Sequence, residues 1–254
     1  MSIFSFNSEQ SKIKKLIGMP RFAPGNINIL GWDLDFLDGP ALWSCIDVLV
    51  YKKWNDFIAE NARPIILDCG ANIGISVLNY KRQFPLAKII AFEPDPSIVS
   101  TLKRNLHKNG ADDVTVIDSA VWSQKGEISF YCEGADGSRI VLDGSNSVKQ
   151  TKVTTVDLAE YINEPIDLIK MDIEGAEFEV IPHLGSKLTL VKAMVIECHI
   201  ANDQIGKLAK LLAVLADAKF KVAVNSYGAW RDLVHRPNKL PDEFDQYMVV
   251  AAWR

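Results

Sequence analysis

Residues 65–74 read IILDCGANIG: a β-branched apolar run that ends on Asp68-Cys69 and passes directly into a turn bracketed by Gly70 and Gly74. A run without polar alternation predicts a strand buried on both faces, as in a parallel sheet covered by helices. Glycines at such a turn permit backbone conformations and close ligand approaches that a Cβ would block. In open α/β sheets ligands settle beyond the carboxyl ends of the strands, which is where this turn falls. The glycines do not follow the dinucleotide pattern G-x-G-x-x-G. Asn72 replaces the middle one and Ile75 stands where the last belongs, so a pyrophosphate cradle is not expected.

Working outward, further runs recur at Lys88–Glu93, Val114–Asp118, Asp167–Asp172 and Ala193–Cys198. Helical patterns separate the first three: one from the turn to Pro85, the other over Ser97–Asn109 with Asn109-Gly110 as its stop. This βαβ rhythm predicts an α/β fold. Glu127–Cys132 alternates Ile128, Phe130 and Cys132 and predicts an extra strand, and the glycine- and serine-rich stretch 133–150 predicts a loop. Upstream, Leu42, Ile46, Leu49, Val50, Trp54, Phe57 and Ile58 predict one amphipathic helix stopping before Pro64. Ile27, Ile29, Trp32, Leu34 and Phe36 suggest extended chain kinked at Gly31, and Phe220–Asn225 with Tyr247–Trp253 suggest a closing antiparallel pair. The expected organisation is an amino-terminal extension or cap, 1–62, packed on a core domain, 63–254.

The chain has 254 residues, 48% of them hydrophobic and 24% charged, so disorder is excluded and a sizeable core is available without disulfides. Its 28 Lys+Arg and 32 Asp+Glu leave a formal charge of −4, which lacks the basic field a phosphate-tracking surface needs; nucleic acid is not an expected partner. Cys45, Cys69, Cys132 and Cys198 have no metal-knuckle or redox spacing and are expected as reduced thiols. Without a signal-like start or 18 consecutive apolar residues, no membrane span and a cytoplasmic location are expected. Oligomeric state has no signature.

Glu93 ends the second strand, 25 residues after Asp68, where a carboxylate can accept from both ribose hydroxyls of NAD or of an adenosine cofactor. Asp118, at the end of the third strand, is a candidate acceptor for an adenine amino group with Ser119 beside it; a turn role fits it equally well.

The segments LDCGANIG at 67–74, FEPDP at 92–96 and IKMDIEGAEFEV at 169–180 together resemble the FkbM family of S-adenosylmethionine-dependent methyltransferases. The resemblance covers about residues 63–200. It implies a Rossmann-like class I methyltransferase sheet, mostly parallel, of seven strands with the last antiparallel. It also implies S-adenosylmethionine as cofactor, with Asp68, Gly70, Asn72 and Gly74 around its methionyl part and Glu93 on its ribose.

Asp172 ends the fourth strand, with Glu174, Gly175 and Glu177 close behind, and Glu197 and His199 end the fifth. Neighbouring strands would bring these groups into one crevice, where four acids and a histidine need a cation, a metal or a titrating role to offset their repulsion. Lys170, two residues before Asp172 on the same side of a strand, is placed to neutralise one acid. For methyl transfer to an alcohol, a positioned base is useful: Asp172 or His199 is the candidate, with Glu174 and Glu197 orienting the acceptor. The same cluster alternatively fits a Mg²⁺-type oxygen site holding a diol, and Glu174 with Glu177 alternatively fits a helix-start charge pair. No metal is assigned.

His107 and His183 read as surface or packing residues, Tyr51 and Trp54 as packing, and His235, Ser138 and Arg139 as weak acceptor contacts. The expected function is therefore an S-adenosylmethionine-dependent methyltransferase that O-methylates a hydroxyl on a sugar, glycan or secondary metabolite. An NAD-linked oxidoreductase and a non-catalytic scaffold that binds the same cofactor stand as alternatives.

Overall fold

A computed structural model describes residues 3–131, 139–140, 150–200, 205–227 and 246–254. The chain opens with helix α1 (Ile3–Ile17) and a hairpin of β1 (Gly25–Ile29) and β2 (Trp32–Phe36), then α2 (Gly39–Ile46). The expected kink at Gly31 is a tight turn in which Leu30 and Gly31 have φ of 54° and 83°. Positive φ at both central residues is the backbone twist that a two-residue hairpin favours. Asp38 caps α2 by accepting the Ala41 amide at 2.8 Å.

The core follows as β3 (Ile65–Cys69), α3 (Ile75–Gln83), β4 (Lys88–Phe92), α4 (Pro96–Lys108), β5 (Thr115–Ile117), β6 (Ala120–Trp122), β7 (Gly126–Tyr131), β8 (Arg139–Ile140) and β9 (Gln150–Asp157). It continues through β10 (Leu168–Met171), α5 (Glu177–Leu184), β11 (Ala193–Ile200), α6 (Ile205–Asp217), β12 (Lys221–Tyr227) and β13 (Gln246–Trp253). Among the described residues the main sheet has seven strands in the order β12-β13-β11-β10-β3-β4-β5. Its strands from β11 to β5 run parallel, and β13 enters antiparallel between β11 and β12. This is the Rossmann-like α/β sheet expected; the closing antiparallel pair ends it, with the last strand, β13, inserted between β11 and the edge strand β12.

The chain winds outward from β3 to β5, then returns to place β10 on the other side of β3. The crevice at the carboxyl ends of β3 and β10 is thus the topological switch point, where such sheets hold ligands. One core, including Ile169, Met171, Val180, Ile196 and Leu211, packs β10 and β11 against α5 and α6. The other joins Ile66, Ile75, Tyr80 and Leu102 to Leu16, Ile29, Trp32 and Leu34 of the first 62 residues. Each fully buried Leu or Ile contributes roughly 1.5–3 kcal/mol.

The hairpin is held by asparagines. On α4, Asn105 accepts the Asp35 amide at 2.8 Å and donates to the Asp35 carbonyl at 3.0 Å and the Ile73 carbonyl at 2.9 Å. Asn109, one turn on, accepts the Asp33 amide at 3.0 Å and donates to the Asp33 carbonyl at 2.9 Å. Two side-chain amides stand in for a neighbouring strand and satisfy the edge of β2.

Two expectations need correction. The helix expected up to Pro64 ends far earlier: α2 widens into a π-helical turn at Asp47–Tyr51, and Lys53 adopts φ 56°. A left-handed residue ends a right-handed helix, so Ile58 is left 96% exposed while Phe57 packs on Tyr80 and Phe84. The stretch 133–150 is not wholly loop. Arg139–Ile140 pairs with Tyr131 and Phe130, and Gln150 opens β9, giving a second sheet in the order β6-β9-β7-β8. Cys132, Ser138 and His235 lie outside the described residues. Among the described residues no helix is long and apolar enough to cross a membrane.

Candidate functional site

The turn after β3 is shaped by its neighbours. Gly70 and Ala71 both donate to the Phe92 carbonyl, at 3.0 and 2.9 Å, folding the chain over the end of β4. Gly70 has φ 82°, and a Cβ there would lie 1.9 Å from the Asp172 carbonyl oxygen. The glycine is needed because the end of β10 presses against this turn. Gly74 (φ 97°) precedes α3, and its Cβ would meet Leu102 Cδ1 at 2.7 Å, so it lets α3 close on α4.

Asn72 (φ 47°) donates its amide to Glu93 Oε2 at 3.0 Å, and the Asp95 amide donates to Glu93 Oε1, also at 3.0 Å. Each Glu93 oxygen therefore accepts one backbone bond and keeps further acceptor capacity. Burial pushes the Glu93 carboxyl up to about 7 against these two bonds, so it is poised to respond to whatever binds it. Glu93 borders a cleft whose empty space is about 590 Å³, counting what opens to solvent. Gly70, Asn72, Ser119, Asp172 and Glu174 line the same cleft, with Ile98, Ala120, Val121 and Phe130 as an apolar wall. A carboxylate acceptor opposite an apolar wall suits a ribose carrying a flat aromatic base, so this residue set fits an adenosine cofactor.

The structure separates other candidates from the cleft. Asp68 is fully buried, accepting from Ser76 Oγ at 2.5 Å and facing Lys170 Nζ at 3.5 Å. Its partner arrives because Lys170 sits beside Asp68 in the β3–β10 register, so this carboxylate braces the two strands. Asp118 pairs with Lys103 Nζ at 2.7 Å and is half-exposed, and it is not among the residues lining the cleft. Ser119 does line the cleft and shares a 2.7 Å hydrogen bond with Thr154. The apolar wall from β6 and β7 was missed: β7 is legible as a strand, but nothing local says that Phe130 faces the cofactor turn.

The opposite side of the cleft is built from charged side chains. Lys170 Nζ donates to the Gly70 carbonyl at 2.6 Å and lies 3.5 Å from both Asp68 and Asp172. Burial would lower its pKa, but Asp68, Asp172 and Glu197 outweigh that and hold it charged. His199 Nε2 lies 3.4 Å from Glu174 and 3.8 Å from Glu197, and its Nδ1 lies 3.8 Å from Glu177. Burial likewise opposes the His199 charge, yet Glu177, Glu174 and Asp172 raise it to about 10. These acids thereby favour the imidazolium form of His199. Glu197 is pushed up to about 8 by burial and by Asp172. Thus β10 and β11 do bring Asp172, Glu174, Glu197 and His199 together, with Asp172 and Glu174 on the cleft wall. Glu177 sits in the first turn of α5, where the helix dipole favours an acid, and accepts the Ile173 amide at 2.9 Å. His107 pairs with Asp112 and His183 with Asp157, both away from this cluster.

The Methyltransferase FkbM domain matches residues 68–236. Methyltransferase sdnD of Sordaria araneosa is 30% identical over 226 residues, covering 75% of this chain and 82% of that protein. The 2-O-methyltransferase NoeI of Sinorhizobium fredii is 29% identical over 168 residues, covering 58% and 68% respectively. The hexuronic acid methyltransferase AglP of Haloferax volcanii is 24% identical over 173 residues, covering 67% and 69%. Among solved structures, M. jannaschii TYW2 in complex with AdoMet aligns with a TM-score of 0.50 at 13% identity, covering 93% of this chain and 89% of that one.

Proposed function

The chain belongs to the FkbM methyltransferase family, and from that premise we propose that it O-methylates a hydroxyl of a sugar, glycan or similar secondary metabolite. S-adenosylmethionine is its cofactor and supplies, when bound, a methyl group on a sulfonium open to in-line displacement. Glu93 holds the ribose hydroxyls, with the turn through Gly70 and Asn72 around the methionyl end. The acceptor hydroxyl sits against Asp172 and Glu174; Asp172 takes up its proton, and Glu174, Glu197 and His199 orient it. The observation that carries this assignment is the shared cleft: Asp172 and Glu174 border the same space as Gly70, Asn72 and Glu93. Residues 1–62 act as a cap on the cofactor half, since Leu37, Asp38, Ala41, Leu42 and Cys45 line a small cavity together with Asn72, Ile73 and Ile98.

NoeI is a 2-O-methyltransferase and AglP acts on a hexuronic acid, which supports a sugar acceptor. A uronic acid offers two acceptors, hydroxyl and carboxylate. A 2-O-methyltransferase among the relatives favours the hydroxyl. The test is transfer of labelled methyl from S-adenosylmethionine to a panel of neutral sugars, uronic acids and glycosides, followed by mild alkali. An alkali-stable methyl ether is expected. An alkali-labile ester would overturn the hydroxyl assignment, and cofactor binding without transfer to any member of the panel would favour a non-catalytic scaffold.

A further inference from the structure

Resting on the placement of the acceptor in this cleft, the geometry points to a divalent-cation site held by Asp172, Glu174 and His199, whose open positions take a pair of acceptor hydroxyls. One oxygen from each acid and one ring nitrogen of His199 all lie within 4.8 Å of one another. Glu174 Oε2 and His199 Nε2 are 3.4 Å apart. Donors bound at about 2.0–2.2 Å to one metal ion sit roughly 3–4 Å from each other, so small side-chain adjustments complete the set.

A second observation points the same way. Behind the ring, Glu177 is fully buried; its Oε1 accepts the Ile173 amide and faces His199 Nδ1 at 3.8 Å, and its Oε2 has no hydrogen-bond partner among the described residues. A buried carboxylate oxygen without a partner is costly unless positive charge lies near it. A carboxylate behind an imidazole is also the usual outer partner of a metal-ligating histidine, fixing the ring so that the other nitrogen faces the ion. Glu177 is therefore a positioning residue. Lys170 is already divided among Asp68, Asp172 and the Gly70 carbonyl, so the charge facing Glu177 comes from the His199 side: from the ring proton without the ion, and from the ion once it is bound.

The mixed donor set selects the ion. Mg²⁺ and Ca²⁺ favour all-oxygen sites, whereas an imidazole with two carboxylates suits a first-row divalent ion such as Mn²⁺. An imidazole ligates only when neutral, so the ion displaces the proton that His199 otherwise carries. Three protein donors leave positions for adjacent hydroxyls of a sugar, fixing which hydroxyl meets the methyl group.

The test is calorimetric titration of MnCl₂ into the chelator-stripped full chain, with S-adenosylhomocysteine titrated in parallel. One equivalent of Mn²⁺ is expected to bind. His199→Ala and Glu174→Gln are expected to weaken it at least 100-fold, and Glu177→Gln about 10–100-fold. Retained S-adenosylhomocysteine binding identifies the variants that keep their fold, and Glu174→Gln, at the cleft wall, disturbs packing least. No stoichiometric Mn²⁺ on the wild-type chain, or equal binding by folded variants, would overturn the site. Cofactor binding with no Mn²⁺ binding removes the ion and leaves the methyltransferase assignment standing; Mn²⁺ binding that the variants lose upholds the site even if no sugar is methylated.

Discussion

The two walls of the cleft solve the same problem with different parts. On the cofactor wall, Glu93 is held by the amides of Asn72 and Asp95, and the turn itself hangs on the Phe92 carbonyl. On the facing wall, Asp172, Glu174, Glu197 and His199 are held by one another and by Lys170. A wall made of backbone donors can change only if the fold changes. A wall made of side chains can be altered one residue at a time, so a family can keep one methyl donor and diversify its acceptors.

The comparison breaks most severely where the walls touch. Gly70→Ala would drive a Cβ into the Asp172 carbonyl and strain a left-handed residue, so both functions should fail together. Thermal melting and S-adenosylhomocysteine titration would show a loss of stability of about 3 kcal/mol or more and no measurable binding. A variant that melts like wild type would mean that the walls are not mechanically joined there.

Asp172→Asn should separate them. Turnover is expected to fall about 10²–10⁴-fold while S-adenosylhomocysteine affinity stays within a few-fold, as read by steady-state kinetics and calorimetry. Equal loss of both would show that Asp172 belongs to the cofactor wall.

A smaller effect lies in pH. Glu93 titrates at about 7 in the free protein, raised by burial above the usual carboxylate range. Two ribose hydroxyls favour the ionised carboxylate, so affinity for S-adenosylhomocysteine should be nearly full by about pH 8 and fall several-fold as the pH drops to 6. Glu93→Gln should flatten that dependence. For folding the sign is opposite: the raised pKa favours the native state below the unfolded value near 4.5, and that contribution disappears as the pH rises through 7. The least effect is expected from Asp118→Asn, whose carboxylate faces Lys103 at the surface; affinity should change less than about twofold.

What could be read in advance divides along the same line. The main strands were legible because each is a short, largely apolar run, and Glu93, Asp172 and Glu197 because they fall at or near the ends of such runs. The role of Asp68 was not legible. Its partner Lys170 lies 102 residues on and meets it only through the β3–β10 register, whereas along the chain Lys170 looks like a companion of Asp172 alone. The end of the amino-terminal helix was hidden for a local reason: the left-handed Lys53 carries no residue-type signal, and the apolar spacing runs on to Ile58 without a break. The second sheet was half visible, since β7 alternates cleanly while β9 grows out of a stretch dominated by loop residues.

The asparagine clamp on the hairpin also bears on how the chain is made. Asp35 obtains its backbone partner from Asn105, 70 residues later. At a synthesis rate of about 5–20 residues per second, the hairpin waits roughly 4–14 s before its clamp has even been translated. Over that interval Ile29, Trp32, Leu34 and Phe36, all buried in the finished protein, have nothing to bury against on α4. The hairpin is thus synthesised well before the helix that secures it, and over that interval its apolar residues are open to aggregation and to chaperones.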